Sequence, residues 1–252
     1  MEYETLLYEV EGETGILTLN RPEIVNAIDY TMLTELNDFW TQRQTDESVR
    51  VLIVRGAGEK GFCSGLDLKA AMDIPGGMSA YNIYNSQRAF SNVIRLMRYC
   101  PQPIIAAVHG PAMGAGLSMA LASDVRLASE DAFFCAQYIN IGTGGADMGS
   151  SFFLPKIVGW GKAAEMCLTG DRVYADEAYR IGLVNHIYSR EDLLPKAKAM
   201  AANMCSKNRL GLKLTKDAFN AALNGLSLED ANRMEDRNQA FIITGGILEA
   251  KP

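Results

Sequence analysis

The stretch "PIIAAVHGPAMGAGLSMALASDVRLAS", residues 103–129, decides the architecture. "IIAAV" is an unbroken apolar run of strand length, suited to a fully buried strand. A glycine-punctuated turn follows and opens "GLSMALA", a helix of small residues. "DVRLAS" then reads as a short strand, with "AFFCA" as another beyond a turn at Glu130 and Asp131. His109, at the end of the first strand, reads as structural.

Working outward, residues 3–10 and 15–20 read as two strands of a hairpin turning at "EGETG". Asp29 can cap a helix that carries Leu33, Leu36 and Trp40 on one face. "VRVLIVRG" (49–56) is a second buried-strand run, and "AGEKGFCSGLDLKAAMD" is a glycine-rich loop leading into a helix. "YNIYNSQRAFSNVIRLMRYC" is helical until the prolines of "PQP" stop it. From Met148 onward the pattern is helical apart from "LVNHIY". Strand-plus-helix units in the first half and helices in the second make an α/β layered core with a helical tail.

The chain has 252 residues, is 48% hydrophobic and carries a net charge of −6. That is enough for a sizeable core, and without a basic block nucleic acid is not an expected partner. No window reaches the roughly 20 apolar residues of a membrane span. The acidic start "MEYETLLYEV" has no apolar signal core, so a cytoplasmic location is expected. The five cysteines form no CxxC pair and the two histidines lie far apart. Reduced thiols and no metal site are therefore expected.

Chemistry is sought where backbone amides are free. "FCSGLDL" and "MGAGLSM" are tight glycine turns expected to open helices, which would free the amides of Leu66 and Ala115. Two such amides aimed at one oxygen would stabilise an oxyanion or enolate. Each loop by itself is a weak signal and reads first as a turn that permits close packing. "GAGEKGF" is not a phosphate-binding loop, because no Lys-Ser/Thr follows its second glycine. In "GTGGADMGSSFFLPKIVG" (142–159) Asp147 is a lone acid, readable as a helix N-cap or as a group with chemistry to do.

Five collinear segments resemble the crotonase (enoyl-CoA hydratase/isomerase) superfamily. They are "LNRPEIVNAID", "GFCSGLDL", the stretch at 103–129, "LPKIVGWGKAAEMCLTGDRVYADEAYRIGLVNHIY" and "SLEDANRMEDRNQ". The resemblance implies a ββα spiral core binding acyl-CoA over residues 1–190. It also implies a C-terminal helical oligomerisation region at 191–252, assembling as a trimer or hexamer. No tightly bound cofactor is implied, because coenzyme A arrives as part of the thioester substrate. The thioester oxygen would sit between the Leu66 and Ala115 amides. Coenzyme A would run along Val25, Ala27, Ser64, Asp67 and Leu68.

The hydratase pattern has two glutamates, and this chain has neither. Ser118 stands at the first position and Tyr138, after Gln137, at the second. Asp147 matches the aspartate of dienoyl-CoA isomerases and of 4-chlorobenzoyl-CoA dehalogenase. The dehalogenase's histidine has no counterpart in residues 80–108. The expected activity is of the enoyl-CoA hydratase/isomerase type in fatty acid metabolism, with Asp147 as acid/base. Tyr138 is either a site residue or a core aromatic. The alternatives are a decarboxylase or hydrolase on the same fold, or a silent CoA-binding homologue. The end at "ILEAKP" falls short of the terminal helix usual in such proteins, which implies a less closed nucleotide site.

Overall fold

The computed structural model describes residues 3–70 and 73–249, with side chains to residue 245. Strands β1 (Leu6–Glu11) and β2 (Thr14–Leu19) form the expected hairpin, pairing Leu6 with Leu19 and Glu11 with Thr14. Helix α1 (Tyr30–Arg43) starts where Asp29 accepts a bond from the Met32 amide at 2.8 Å. Its cap leaves Met32, Leu33, Leu36, Phe39 and Trp40 buried along one face. Strand β3 (Val51–Gly56) then lies parallel to β2, and helix α2 (Ala80–Tyr99) crosses over to β4 (Ile104–Val108), parallel to β3.

From β4 the chain repeats a unit. One strand joins the large sheet, the next joins a small sheet, and a helix follows. β4 is followed by β5 (Pro111–Met113) and helix α3 (Ala115–Ala122). β6 (Val125–Ser129) is followed by β7 (Phe133–Cys135) and helices α4 (Ser150–Val158) and α5 (Trp160–Thr169). β8 (Val173–Tyr174), α6 (Ala175–Arg180) and β9 (His186–Tyr188) complete the turns. The large sheet runs β1-β2-β3-β4-β6-β9 and the small one β5-β7-β8. This is the expected spiral of ββα units.

Two expectations need correction. β5 lies inside the segment read as a glycine turn, and β8 inside the segment read as helical. Both are too short to show a period, and both exist because β7 pairs with them. The helix expected at the end of the loop after β3 falls across a break in the described residues. Ala71 and Met72 lie outside those residues, and the next helix described is α2.

Strand alternation splits the buried side chains between the two faces of the large sheet. Leu17, Leu19, Leu52, Val54, Ile104, Ala106, Val108 and Ala128 face the main core under α1, α2 and α3. Ile16, Val51, Ile53, Ile105, Ala107 and Leu127 face the opposite way. That second face is closed by helix α7 (Arg190–Cys205), through Leu193, Ala197 and Ala201 at four-residue spacing.

Helices α8 (Arg209–Leu223) and α9 (Leu228–Glu249) follow. Lys216 of α8 is 3% exposed. Its Nζ donates to the carbonyls of Met97 at 3.3 Å and Gln102 at 2.9 Å, and pairs with Asp124 at 2.9 Å. One turn on, Asn220 donates to the Arg98 carbonyl at 2.8 Å and accepts from the Arg98 guanidinium. These contacts pin α8 to α2. No helix among the described residues is long and apolar enough to cross a membrane.

Candidate active site

The loop after β3 is held between two partners. On one side Ser64 N donates to Val25 O, Ile28 N to Gly65 O and Asp67 N to Ile28 O, all within 2.7–2.9 Å. On the other side Phe62 N donates to His109 O, Cys63 N to Pro111 O and Met113 N to Cys63 O. Residues 62–67 therefore run as an irregular strand between the Val25–Ile28 segment and β5. The bridge to Ile28 uses the groups flanking Leu66, so the Leu66 N–H points away from Ile28.

Leu66 therefore does not open a helix, contrary to the sequence reading. Its amide is free because it faces out of a ladder. Ala115 does open one, as the first residue of α3. Among the described residues neither amide donates a hydrogen bond. Two glycines bring the segments together. A methyl group on Gly65, at φ +95°, would stand 2.8 Å from the Met113 oxygen and 3.4 Å from the Ala115 nitrogen. One on Gly116 would stand 2.4 Å from the Cys63 oxygen. No larger residue lets α3 sit so close to this loop.

One turn into α3, Ser118 is fully buried and lies 2.6 Å from the Tyr138 hydroxyl. Ser118 Oγ also donates to the Asp147 carbonyl at 3.3 Å. The second bond assigns the first, because a serine has one proton to give. Tyr138 donates to Ser118, and Ser118 donates to Asp147. Burial, more than any neighbour, pushes the Tyr138 phenol far above its ordinary range, so it stays protonated.

Asp147 is half-buried at the mouth of α4, yet Gly149 and not Asp147 is that helix's N-cap. Its Oδ1 accepts from the Met148 amide at 2.7 Å and its Oδ2 from Gln87 Nε2 of α2 at 2.9 Å. Met148 adopts φ +47°, a left-handed conformation uncommon for a residue other than glycine. The backbone of Asp147 is itself fixed, donating to Ser150 Oγ at 3.0 Å and accepting from Ser150 N at 2.9 Å.

An enoyl-CoA hydratase/isomerase family model matches residues 9–244. The chain belongs to the enoyl-CoA hydratase/isomerase family. A relative named a probable enoyl-CoA hydratase, from Mycobacterium tuberculosis, is 40% identical over 233 residues, 91% of this chain and 81% of the relative. An enoyl-CoA hydratase structure from Bacillus anthracis superposes with a TM-score of 0.88 at 28% identity, covering 96% and 92% of the two chains. A monofunctional enoyl-CoA isomerase from Mycobacterium smegmatis gives 0.74 at 35% identity, covering 90% and 97%. The fold is thus the crotonase fold, and the protein is an enzyme of this family.

Of the residues expected along the coenzyme, Val25, Ser64 and Asp67 share the bonds of one ladder in this enzyme, and Ala27 lies beside it with its carbonyl accepting from Arg21 at 2.7 Å. Ser64 adds a bond from its hydroxyl to Ile24 O at 3.2 Å. Leu68 follows the ladder and is 55% exposed. Two residues that shape this wall were missed by sequence reasoning. Asn26, fully buried at φ +54°, donates to the carbonyls of Gly61 at 2.9 Å, Ala57 at 3.1 Å and Phe62 at 3.2 Å. Arg21 bridges Asp29 at 3.0 Å and Asp67 at 3.1 Å. Asp67 also caps a turn through the Lys69 and Ala70 amides, and these donors with Arg21 hold its carboxyl below the ordinary range despite burial. A polar residue wedged into "RPEIVNAID" was the available signal for Asn26. Gln87, on an exposed helix position, gave none.

His109 lies apart from these groups, its Nε2 3.0 Å from Gly58 O, as its structural reading expects. Burial and the nearby Arg190 push its pKa down. Among the described residues no cluster of three or more His, Cys, Asp or Glu could hold a metal ion.

Proposed function

We propose that this enzyme shifts the double bond of an enoyl-CoA, with Asp147 carrying the proton. The thioester oxygen lies between the amides of Leu66 and Ala115. Val25, Ala27, Ser64, Asp67 and Leu68 line the path of the coenzyme. Asp147 takes a proton next to the thioester carbonyl of a 3-enoyl-CoA, and the electron pair spreads to the carbonyl oxygen as a dienolate. The two amides meet that charge, where one such donor is worth about 10²–10³ in rate. Asp147, now protonated, returns the proton to the γ carbon and leaves the conjugated 2-enoyl-CoA.

The observation that carries this reading is the Ser118–Tyr138 pair at the two positions where hydratases carry glutamates. Both groups are buried neutral hydroxyls whose protons are already committed, one to the other and then to a carbonyl. Neither can orient and deprotonate a water as a carboxylate does. Asp147 remains as the acid of the site. One carboxylate suffices to remove and return a proton.

Hydration is the second reading, favoured by the names of the relatives from M. tuberculosis and B. anthracis. Asp147→Asn should lower kcat on a 3-enoyl-CoA by several orders of magnitude while coenzyme A affinity stays nearly intact. Faster uptake of water oxygen by a 2-enoyl-CoA than double-bond migration in a 3-enoyl-CoA would replace isomerisation by hydration. Near-full activity of Asp147→Asn with a dead Tyr138→Phe would remove Asp147 from the mechanism.

Exposed apolar side chains on the later helices, among them Trp160, Leu168, Phe219 and Phe241, support self-association as a trimer or hexamer. A stable monomer in sedimentation at micromolar concentration would refute that.

A further inference from the structure

We infer that Gln87 is a positioning residue that sets the orientation of the Asp147 carboxylate. The inference rests on the reading of Asp147 as the acid/base and names what prepares it.

The backbone of Asp147 is fixed by its bonds with Ser150 and Ser118, so the carboxylate retains only its side-chain rotations. Met148 N holds one oxygen at 2.7 Å and Gln87 Nε2 the other at 2.9 Å. Two donors on opposite oxygens fix the plane of the group. Each carboxylate oxygen has two lone-pair sites, so one on each is left to receive a proton. Without Gln87 the group could turn about the Met148 bond, and misplacement by about 1 Å costs roughly a hundredfold in rate.

The chemical type of Gln87 fits this task. Lysine or arginine at this place would hold the carboxylate equally well, but an ion pair strongly favours the charged form and weakens the base. Glutamate would repel it. An amide donates without a charge. It orients the anion and leaves it able to accept a proton and to release it.

Gln87 is well placed to act as a fixed arm. α2 is anchored below it by Phe90, Val93 and Ile94, all buried in the main core. Next to it, Ser86 Oγ donates to the Tyr30 hydroxyl of α1 at 3.1 Å. Gln87 itself is exposed and supports no core packing. A structural role therefore does not explain why its amide reaches a residue 60 positions away.

The test uses the full-length enzyme with trans-3-hexenoyl-CoA as probe. Gln87→Met keeps the length and removes the donor, and it should lower kcat about tenfold to a hundredfold with KM and melting temperature unchanged. Gln87→Glu is closer in shape, yet it should be worse than Gln87→Met, reversing the order of steric likeness. On an Asp147→Asn background, Gln87→Met should have no further effect, since the two residues act as one unit. A Gln87→Met enzyme within twofold of wild type, or one equally impaired on both backgrounds, overturns the inference. If Asp147→Asn itself turns over at the wild-type rate, the reading of Asp147 falls and the inference with it. If Asp147→Asn is inert and Gln87→Met is not impaired, only the assignment of Gln87 falls.

Discussion

Substituting Gly65 with alanine tests whether the loop and α3 are held together for chemistry or only for packing. The new methyl meets the Met113 oxygen at 2.8 Å, a main-chain atom of β5 that cannot rotate aside. Alanine at φ +95° adds at least the left-handed penalty, about 1–2 kcal/mol. Overpacking against backbone adds about 1–3 kcal/mol. The sum, about 2–5 kcal/mol, lowers the melting temperature by about 4–20 °C for a chain of this size. The loss in rate should be larger than the loss in folded protein. Gly65 precedes Leu66 and abuts the Ala115 nitrogen, so relief of the clash must move one of the two amides. Losing one donor lowers kcat about 10²–10³-fold. Urea melts give the stability, and kcat measured well below the melting temperature gives the chemistry. Gly144→Ala is the control, because nothing lies within 4 Å of its added methyl. Gly65→Ala that retains kcat within threefold of wild type while showing the expected drop in stability would falsify the oxyanion-hole assignment.

Asn26→Ala should destabilise the fold by about 2–4 kcal/mol in urea melts, since three buried carbonyls lose a shared donor. It should also raise KM for acyl-CoA by disordering the ladder of Val25 to Ile28. Lys216→Met should cost about 3 kcal/mol and speed hydrogen exchange throughout α8, because the helix loses its anchor to Met97, Gln102 and Asp124. Two tyrosines, Tyr138 buried and Tyr3 partly buried, should make the enzyme alkali-labile. Burial raises Tyr138 well above 10 and, aided by Asp38, raises Tyr3 to about 12. The unfolded chain releases these protons near pH 10 while the native state keeps them. Their stabilising contribution is complete below about pH 10 and is lost as pH rises beyond it. Melting temperature should fall above that pH, and less steeply in Tyr138→Phe.

Long-period features were legible in the sequence. β3 and β4 are continuous apolar runs, α1 has both a cap and a face, and α2 ends at the prolines after Cys100. Features made by partners were not legible. β5 and β8 have no pattern of their own and take their conformation from β7. The amide of Leu66 is free for a reason the sequence does not signal, since the Ile28 bridge that turns it outward joins segments about 40 residues apart. Asp147 was visible as a lone acid, but its holder was not. A glutamine on the open side of a helix looks like solvated surface until the fold shows what it faces.

The closure of the large sheet by α7 bears on how the protein is made. The strands that carry Ile16, Val51, Ile53, Ile105 and Leu127 leave the ribosome well before Arg190–Cys205 does. During that interval the nascent chain can complete the α1–α3 side of its sheet while the other side presents a bare aliphatic plane. Nothing synthesised earlier substitutes for the Leu193, Ala197 and Ala201 stripe within that cluster. Late elongation is therefore an interval in which this face of the sheet is open to wrong partners. Codon changes that slow translation between β9 and the end of α7 should lower soluble yield without altering a single side chain.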